Sequence, residues 1–161
     1  MSQLTKEFFD WYRTESTKTN HYPIDKMLDA ILIGIAEEIY EYRLAVNIPD
    51  MGSEMADFGW YIAEGMNLLG METPGHFLPQ DIRLDKCGKR ACSLIKKFIR
   101  GDFNYMERVE MTTKLLDDCY YLLSKYNGIE GHLKRNVEKL RERAATDTIK
   151  GSGETIEERK Q

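Results

Sequence analysis

The stretch Ala30-Ile31-Leu32-Ile33-Gly34-Ile35-Ala36-Glu37-Glu38-Ile39-Tyr40-Glu41-Tyr42 decides the fold. Around it, Leu28, Ile31, Leu32, Ile35, Ile39, Tyr42 and Val46 recur at i, i+3, i+4 and i+7, the spacing of one helix face. Within that helix Glu38 and Glu41 lie one turn apart. They flank the apolar stripe of Ile31, Ile35 and Tyr42 and do not oppose it. Carboxylates beside a core are costly without a partner, and a divalent cation is the usual one.

Working outward, Pro23 is placed to open this helix, with Asp25 in its first turn favouring the positive end of the dipole. Asn47-Ile48-Pro49-Asp50 reads as a short turn, because Pro49 pushes Ile48 out of helical geometry. A third helix is expected from about Met51 to Leu69 on Met51, Met55, Phe58, Ile62 and Leu69, ended by Gly70. Upstream, Thr5 to Lys18 forms a first amphipathic segment with Phe8, Phe9, Trp11 and Tyr12, broken by Asn20-His21-Tyr22-Pro23. Downstream, a proline- and glycine-bearing connector over 70–80 leads to helices at about Ile82–Ile99, Tyr105–Lys125 and Glu130–Arg143. The expected fold is all-α, a bundle of five to six helices around a four-helix core built from two related antiparallel hairpins. The relation rests on Ser53–Ile62, which aligns with Thr113–Leu122, each followed by a glycine, Gly70 and Gly128. One domain is expected over residues 1–143, with hairpins at 24–70 and 82–126. From Ala144 to Gln161 the chain is polar and weakly patterned, as expected of a mobile arm.

The chain of 161 residues suits one compact domain, and 42% hydrophobic residues supply a core. A net charge of −4 argues against a nucleic-acid binder, which normally carries a basic excess. It leaves room for a nucleotide, since a local basic cluster serves a small anion. Cys87, Cys92 and Cys119 are odd in number and form no CxxC pair, which fits a reducing cytoplasm. His21, His76 and His132 are scattered, against a zinc site. No apolar run approaches the ~20 residues of a membrane span, and the N-terminal residues have no signal-peptide character.

The third helix repeats the acidic arrangement. Glu54 and Asp57 are one turn apart beside Met51, Phe58 and Ile62, with Tyr61 next along that face. A short turn makes the two helices antiparallel neighbours, so four carboxylates are expected to converge, with Glu37 nearby but pointing further from the core. Convergent carboxylates raise one another's pKa unless a cation sits among them. An all-oxygen, all-anionic set favours Mg²⁺ or Mn²⁺ over zinc. The chemistry suggested is metal-assisted attack of water on a phosphoryl group. A lone EExxE is usually a solvated helix face, and a plain helical bundle with solvated charges is the competing reading. Two such pairs on adjacent helices, both beside apolar stripes, are harder to read that way.

At Glu37-Glu38-x-x-Glu41 followed by Glu54-x-x-Asp57, the chain resembles the MazG-like, all-α nucleoside triphosphate pyrophosphohydrolases. Phe58-Gly59-Trp60-Tyr61, Leu94-Ile95-Lys96-Lys97 and the ending Asn136-x-x-Lys139-Leu140-x-x-Arg143 extend the likeness over roughly residues 24–143. The resemblance implies hydrolysis of a nucleoside triphosphate to the monophosphate and pyrophosphate, a house-cleaning of the nucleotide pool. It implies that Glu38, Glu41, Glu54 and Asp57 ligate Mg²⁺, with Mn²⁺ as an alternative. Glu37 would orient or deprotonate the attacking water, a role that Glu38 could share. Lys96, Lys97, Lys139 and Arg143 would be basic partners of the substrate, with Asn136 a neutral donor; each also reads as a solvated helical residue. Trp11, His21, Tyr22, Trp60 and Tyr61 are candidates to stack on a base, though such residues are more often core or interface. Trp60 falls opposite its helix's main stripe, which reads first as an interface with another subunit. A homodimer or larger homo-oligomer is expected.

The sequence also departs from the family. Lys114 stands where the first hairpin has Glu54, so the second hairpin cannot build a full metal site. Ala144-Ala145-Thr146 replaces the family's aromatic and proline continuation. One hairpin is expected to hold the metal and the other to have drifted toward phosphate binding. Two other functions fit the same helices: a phosphoribosyl-ATP pyrophosphohydrolase, and a non-catalytic helical interaction module.

Overall fold

The computed structural model describes residues 3–75 and 80–146. His76, part of the 70–80 connector and the arm from residue 147 onward lie outside them. Within the described residues there are six α-helices and no strand: α1 (Lys6–Thr17), α2 (Met27–Leu44), α3 (Ile48–Leu68), α4 (Leu84–Arg100), α5 (Tyr105–Lys125) and α6 (Ile129–Ala145). None of these helices is long and apolar enough to cross a membrane.

Local chemistry sets the helix ends. The Thr5 hydroxyl accepts from the Phe8 amide at 3.2 Å and opens α1. Asn104 and Glu107 form a reciprocal capping box at the start of α5. Gly101, at φ 75°, closes α4 in the left-handed region that a side chain would disfavour.

Three boundaries correct the sequence reading. Pro23 does not open α2; it precedes a 3₁₀ turn, Ile24–Lys26, that runs directly into Met27. Ile48 is not expelled from helical geometry, because α3 begins there. Asn47 caps α3 by accepting from the Asp50 amide at 2.9 Å, and Pro49 sits in the first turn, where a missing N–H breaks no helical bond. The last helix continues past Arg143 to Ala145.

The core closes as a ring. α2 packs on α3 and α4, and α5 completes the circuit by packing on both α3 and α4. Each hairpin has a short connection, 45–47 and 101–104, so its two arms are antiparallel. The segments Ser53–Ile62 and Thr113–Leu122 occupy the second arm of each hairpin. Ile31, Ile35, Phe58, Ile62, Leu115 and Leu116 are fully buried between the arms. α1 and α6 lie against each other and against α3. That makes α3 the most enclosed helix, with Phe9 and Tyr12 of α1 buried beside it. This second layer matters for function, because it places α6 beside the acids of α3.

Candidate functional site

The acids of the α2–α3 hairpin meet. One carboxylate oxygen each from Glu38, Glu41 and Glu54 lies within 4.8 Å of the others. Glu38 and Glu54 are half-buried and Glu41 is exposed, and the Glu38 Oε2 is buried with no hydrogen-bond partner. Burial, followed by the charges of Asp57, Glu41, Glu54 and Glu37, pushes its pKa up to about 9. Glu54 is raised by burial first, then by Asp57 and Glu41. Three carboxylates so placed repel one another, and a cation among them relieves both the repulsion and the orphaned Glu38 oxygen. The donor set therefore fits a hard divalent ion of the Mg²⁺ or Mn²⁺ type. Among the described residues this is the one such acidic group, and the second hairpin has none. There Lys114, at the position of Glu54, is exposed and pairs with Glu110 at 3.8 Å.

Asp57, the fourth acid expected to converge, stands outside the group of three. It lies beside the cluster, but both its oxygens are already engaged. Lys139 Nζ donates to Oδ1 at 2.7 Å and to Oδ2 at 2.6 Å, and Asn136 Nδ2 donates to Oδ1 at 2.5 Å. Asn136, expected as a neutral donor to the substrate, spends one amide N–H on Asp57 and also borders a second cleft. It is buried behind the acids, 3% exposed, and accepts from the Tyr12 hydroxyl at 2.8 Å. A chain Tyr12–Asn136–Asp57–Lys139 thus ties α1 and α6 to the acidic face of α3. Nothing in the sequence of α1 signals it, since Tyr12 reads there as one more apolar position.

The acids line an open cleft of about 530 Å³. Glu37, exposed, stands on its rim, and Lys139 and Arg143 of α6 close one side. The other end is aromatic. Trp60 meets Tyr61 edge-on at 5.1 Å between ring centroids and Tyr22 at 6.2 Å. Tyr61 fits against α2 only because position 34 is glycine: a Cβ there would lie 2.2 Å from its ring. Burial, then a hydrogen bond with Tyr22, raises the Tyr61 hydroxyl above its usual range. Trp60, expected opposite the main stripe of its helix, sits at this end. It is half-buried and lines the cleft, with Nε1 buried and without a hydrogen-bond partner. His21 also lines the cleft. Trp11 does not; it is exposed on α1 against Phe8.

Lys96 and Lys97 are likewise absent from the cleft. Gly88 of α4 lies against Ile39, so these lysines are about 12 Å further along that helix. Both are exposed, with the Lys97 ammonium 5.2 Å from the centroid of Phe103. Sequence reasoning missed Glu64, a buried acid that accepts from Ser16 Oγ at 2.7 Å and Asn20 Nδ2 at 2.6 Å. Asn20 in turn accepts from the Tyr22 amide at 3.0 Å, so Glu64 anchors the loop that brings Thr19, His21 and Tyr22 to the cleft. A lone acid inside the apolar run Tyr61–Leu69 was the available signal.

Compared with protein-family profiles, with curated proteins and with solved structures, the chain has no match.

Proposed function

We propose that the chain is a divalent-cation-dependent nucleoside triphosphate pyrophosphohydrolase, releasing pyrophosphate and a nucleoside monophosphate. The observation that carries this reading is the convergence of Glu38, Glu41 and Glu54 in a cleft with aromatic rings at one end and cations at its side. The likeness of EExxE and ExxD to the MazG-like enzymes supports it, and so does the unpartnered Glu38 oxygen.

Each side chain then has a task. Glu38, Glu41 and Glu54 would hold Mg²⁺, which would supply Lewis-acid polarisation of phosphoryl oxygens and charge compensation there. Glu37, on the rim, has the exposure to orient water and take its proton. Tyr22, Trp60 and Tyr61 offer faces and edges to a base, and the Trp60 N–H offers an unused donor. Lys139 and Arg143 balance phosphate charge from α6. Asp57, held by Asn136 and Lys139, positions Lys139 in the resting site.

The test is to incubate the purified protein with each (d)NTP and Mg²⁺ and to follow pyrophosphate against phosphate. Pyrophosphate release that falls by two orders of magnitude or more, roughly, in Glu38→Gln is the expected outcome. Release of single phosphates, or no turnover of any nucleotide, overturns the reading. We also propose self-association through α2, whose Ile33, Tyr40 and Leu44 share one face and are 52%, 63% and 60% exposed.

A further inference from the structure

A second cleft, of about 570 Å³, opens on the far side of Lys139. It shares Ser53 and Lys139 with the acidic cleft, so the two adjoin. Among the described residues no carboxylate borders it. Its cations are Arg135 and Lys139, the latter paired with Asp57, and Ser53, Asn136 and His132 add polar side chains to a lining otherwise made of Ile48, Pro49 and Ala56. His132, Arg135, Lys139 and Arg143 follow one face of α6 at i, i+3, i+7 and i+11. That row runs beside α3. His132 is seated on Gly52, where a Cβ would lie 2.0 Å from its ring, Lys139 reaches Asp57, and Arg143 lies in the first cleft with Trp60.

The clefts together make a track in three parts. Aromatic rings stand at one end, around Trp60. Acids fill the middle, at Asp57 and Glu54. Cations and neutral donors line the other end, from Ser53 to the start of α3 at Ile48 and Pro49. Trp60 and Ser53 are about 10 Å apart along the helix. A nucleoside triphosphate has the same order: an aromatic base, a reacting phosphorus, then two phosphates carrying most of the negative charge. Arg135 donates toward His132 Nδ1 at 2.8 Å. Burial and the neighbouring guanidinium lower the His132 pKa, and with Nδ1 facing the Arg135 donor, Nε2 is the ring nitrogen left to carry a proton.

We propose that this second cleft is the subsite for the two distal phosphates, with Arg135 and His132 binding the pyrophosphate half of the substrate and the pyrophosphate product. The assignment rests on the hydrolase reading for its catalytic meaning, but its test does not need turnover. Titrate the full chain with inorganic pyrophosphate and, separately, with nucleoside monophosphates, in Mg²⁺ buffer by calorimetry. Arg135→Ala is expected to weaken pyrophosphate binding about tenfold, the worth of a charge-assisted contact, and to leave monophosphate binding unchanged. His132→Gln is expected to act in the same direction and less strongly. Lys134→Ala, on an exposed lysine of the same helix outside both clefts, is expected to change neither. Unchanged pyrophosphate affinity in Arg135→Ala overturns the subsite. Equal loss for both ligands overturns it too, because that reports a general field. A wild-type chain that binds no pyrophosphate overturns it as well. A chain that hydrolyses nucleotides with an Arg135-independent pyrophosphate affinity loses only the subsite. A chain that binds pyrophosphate through Arg135 and hydrolyses nothing loses only the hydrolase reading.

Discussion

Glu38 illustrates how one residue couples charge to stability. Its pKa near 9 in the fold, against 4.5 for the unperturbed group, means the folded protein keeps a proton that the unfolded chain has released. Protonation therefore stabilises fully below about pH 4.5, and that contribution is lost as pH rises toward 9. In metal-free protein, stability is expected to decline across this window by up to about 1.4 kcal/mol per pH unit. Glu38→Gln removes the ionisation and should flatten the decline. Mg²⁺ or Mn²⁺ should flatten it in the wild type, because a ligand that binds only the fold stabilises it by mass action. Urea denaturation midpoints at pH 5, 7 and 9, with and without cation, check both points. A wild-type midpoint that rises over this range contradicts the buried, unpartnered carboxyl.

At the scale of elements, α1 and α6 act as a brace behind the acids. The Tyr12 hydroxyl holds Asn136, and Asn136 holds Asp57. Tyr12→Phe keeps the ring in its fully buried position and removes only the donor. The Asn136 oxygen is then left buried without that bond, a loss of about 1–2 kcal/mol. Chemical denaturation of the variant should register that loss. Asn136→Leu, which removes the amide altogether, should cost more, since it also strips a donor from Asp57. Equal stability of Tyr12→Phe and wild type would show that the brace contributes nothing.

For the molecule as a whole, the exposed stripe of Ile33, Tyr40 and Leu44 on α2 bears on assembly. These residues face away from the core that the other face of α2 builds with Ile31 and Ile35. Sedimentation equilibrium of the wild type is expected to give a mass above that of one chain. Leu44→Glu places a charge within the stripe and is expected to shift the distribution toward the monomer. A wild-type chain that stays monomeric at tens of micromolar, roughly the range of weak interfaces, removes the proposal.

The sequence by itself determined the helices, their order and the closeness of two acidic arms, because apolar periodicity and a short connection act over neighbouring residues. It placed Glu38 and Glu41 beside one apolar stripe and Glu54 and Asp57 beside the next, and of these four the structure gathers Glu38, Glu41 and Glu54. It misread Ile48 and Pro49, because a proline that disfavours a helix interior is tolerated in the first turn. Only the tertiary structure decided that Asp57 is bound by Lys139 and Asn136, that Trp60 faces the cleft, and that Lys96 and Lys97 stand away from it. Those outcomes depend on how α1, α4 and α6 pack around α3. Contacts between residues 79 to 124 positions apart follow from fitting whole surfaces together, and no local spacing encodes them.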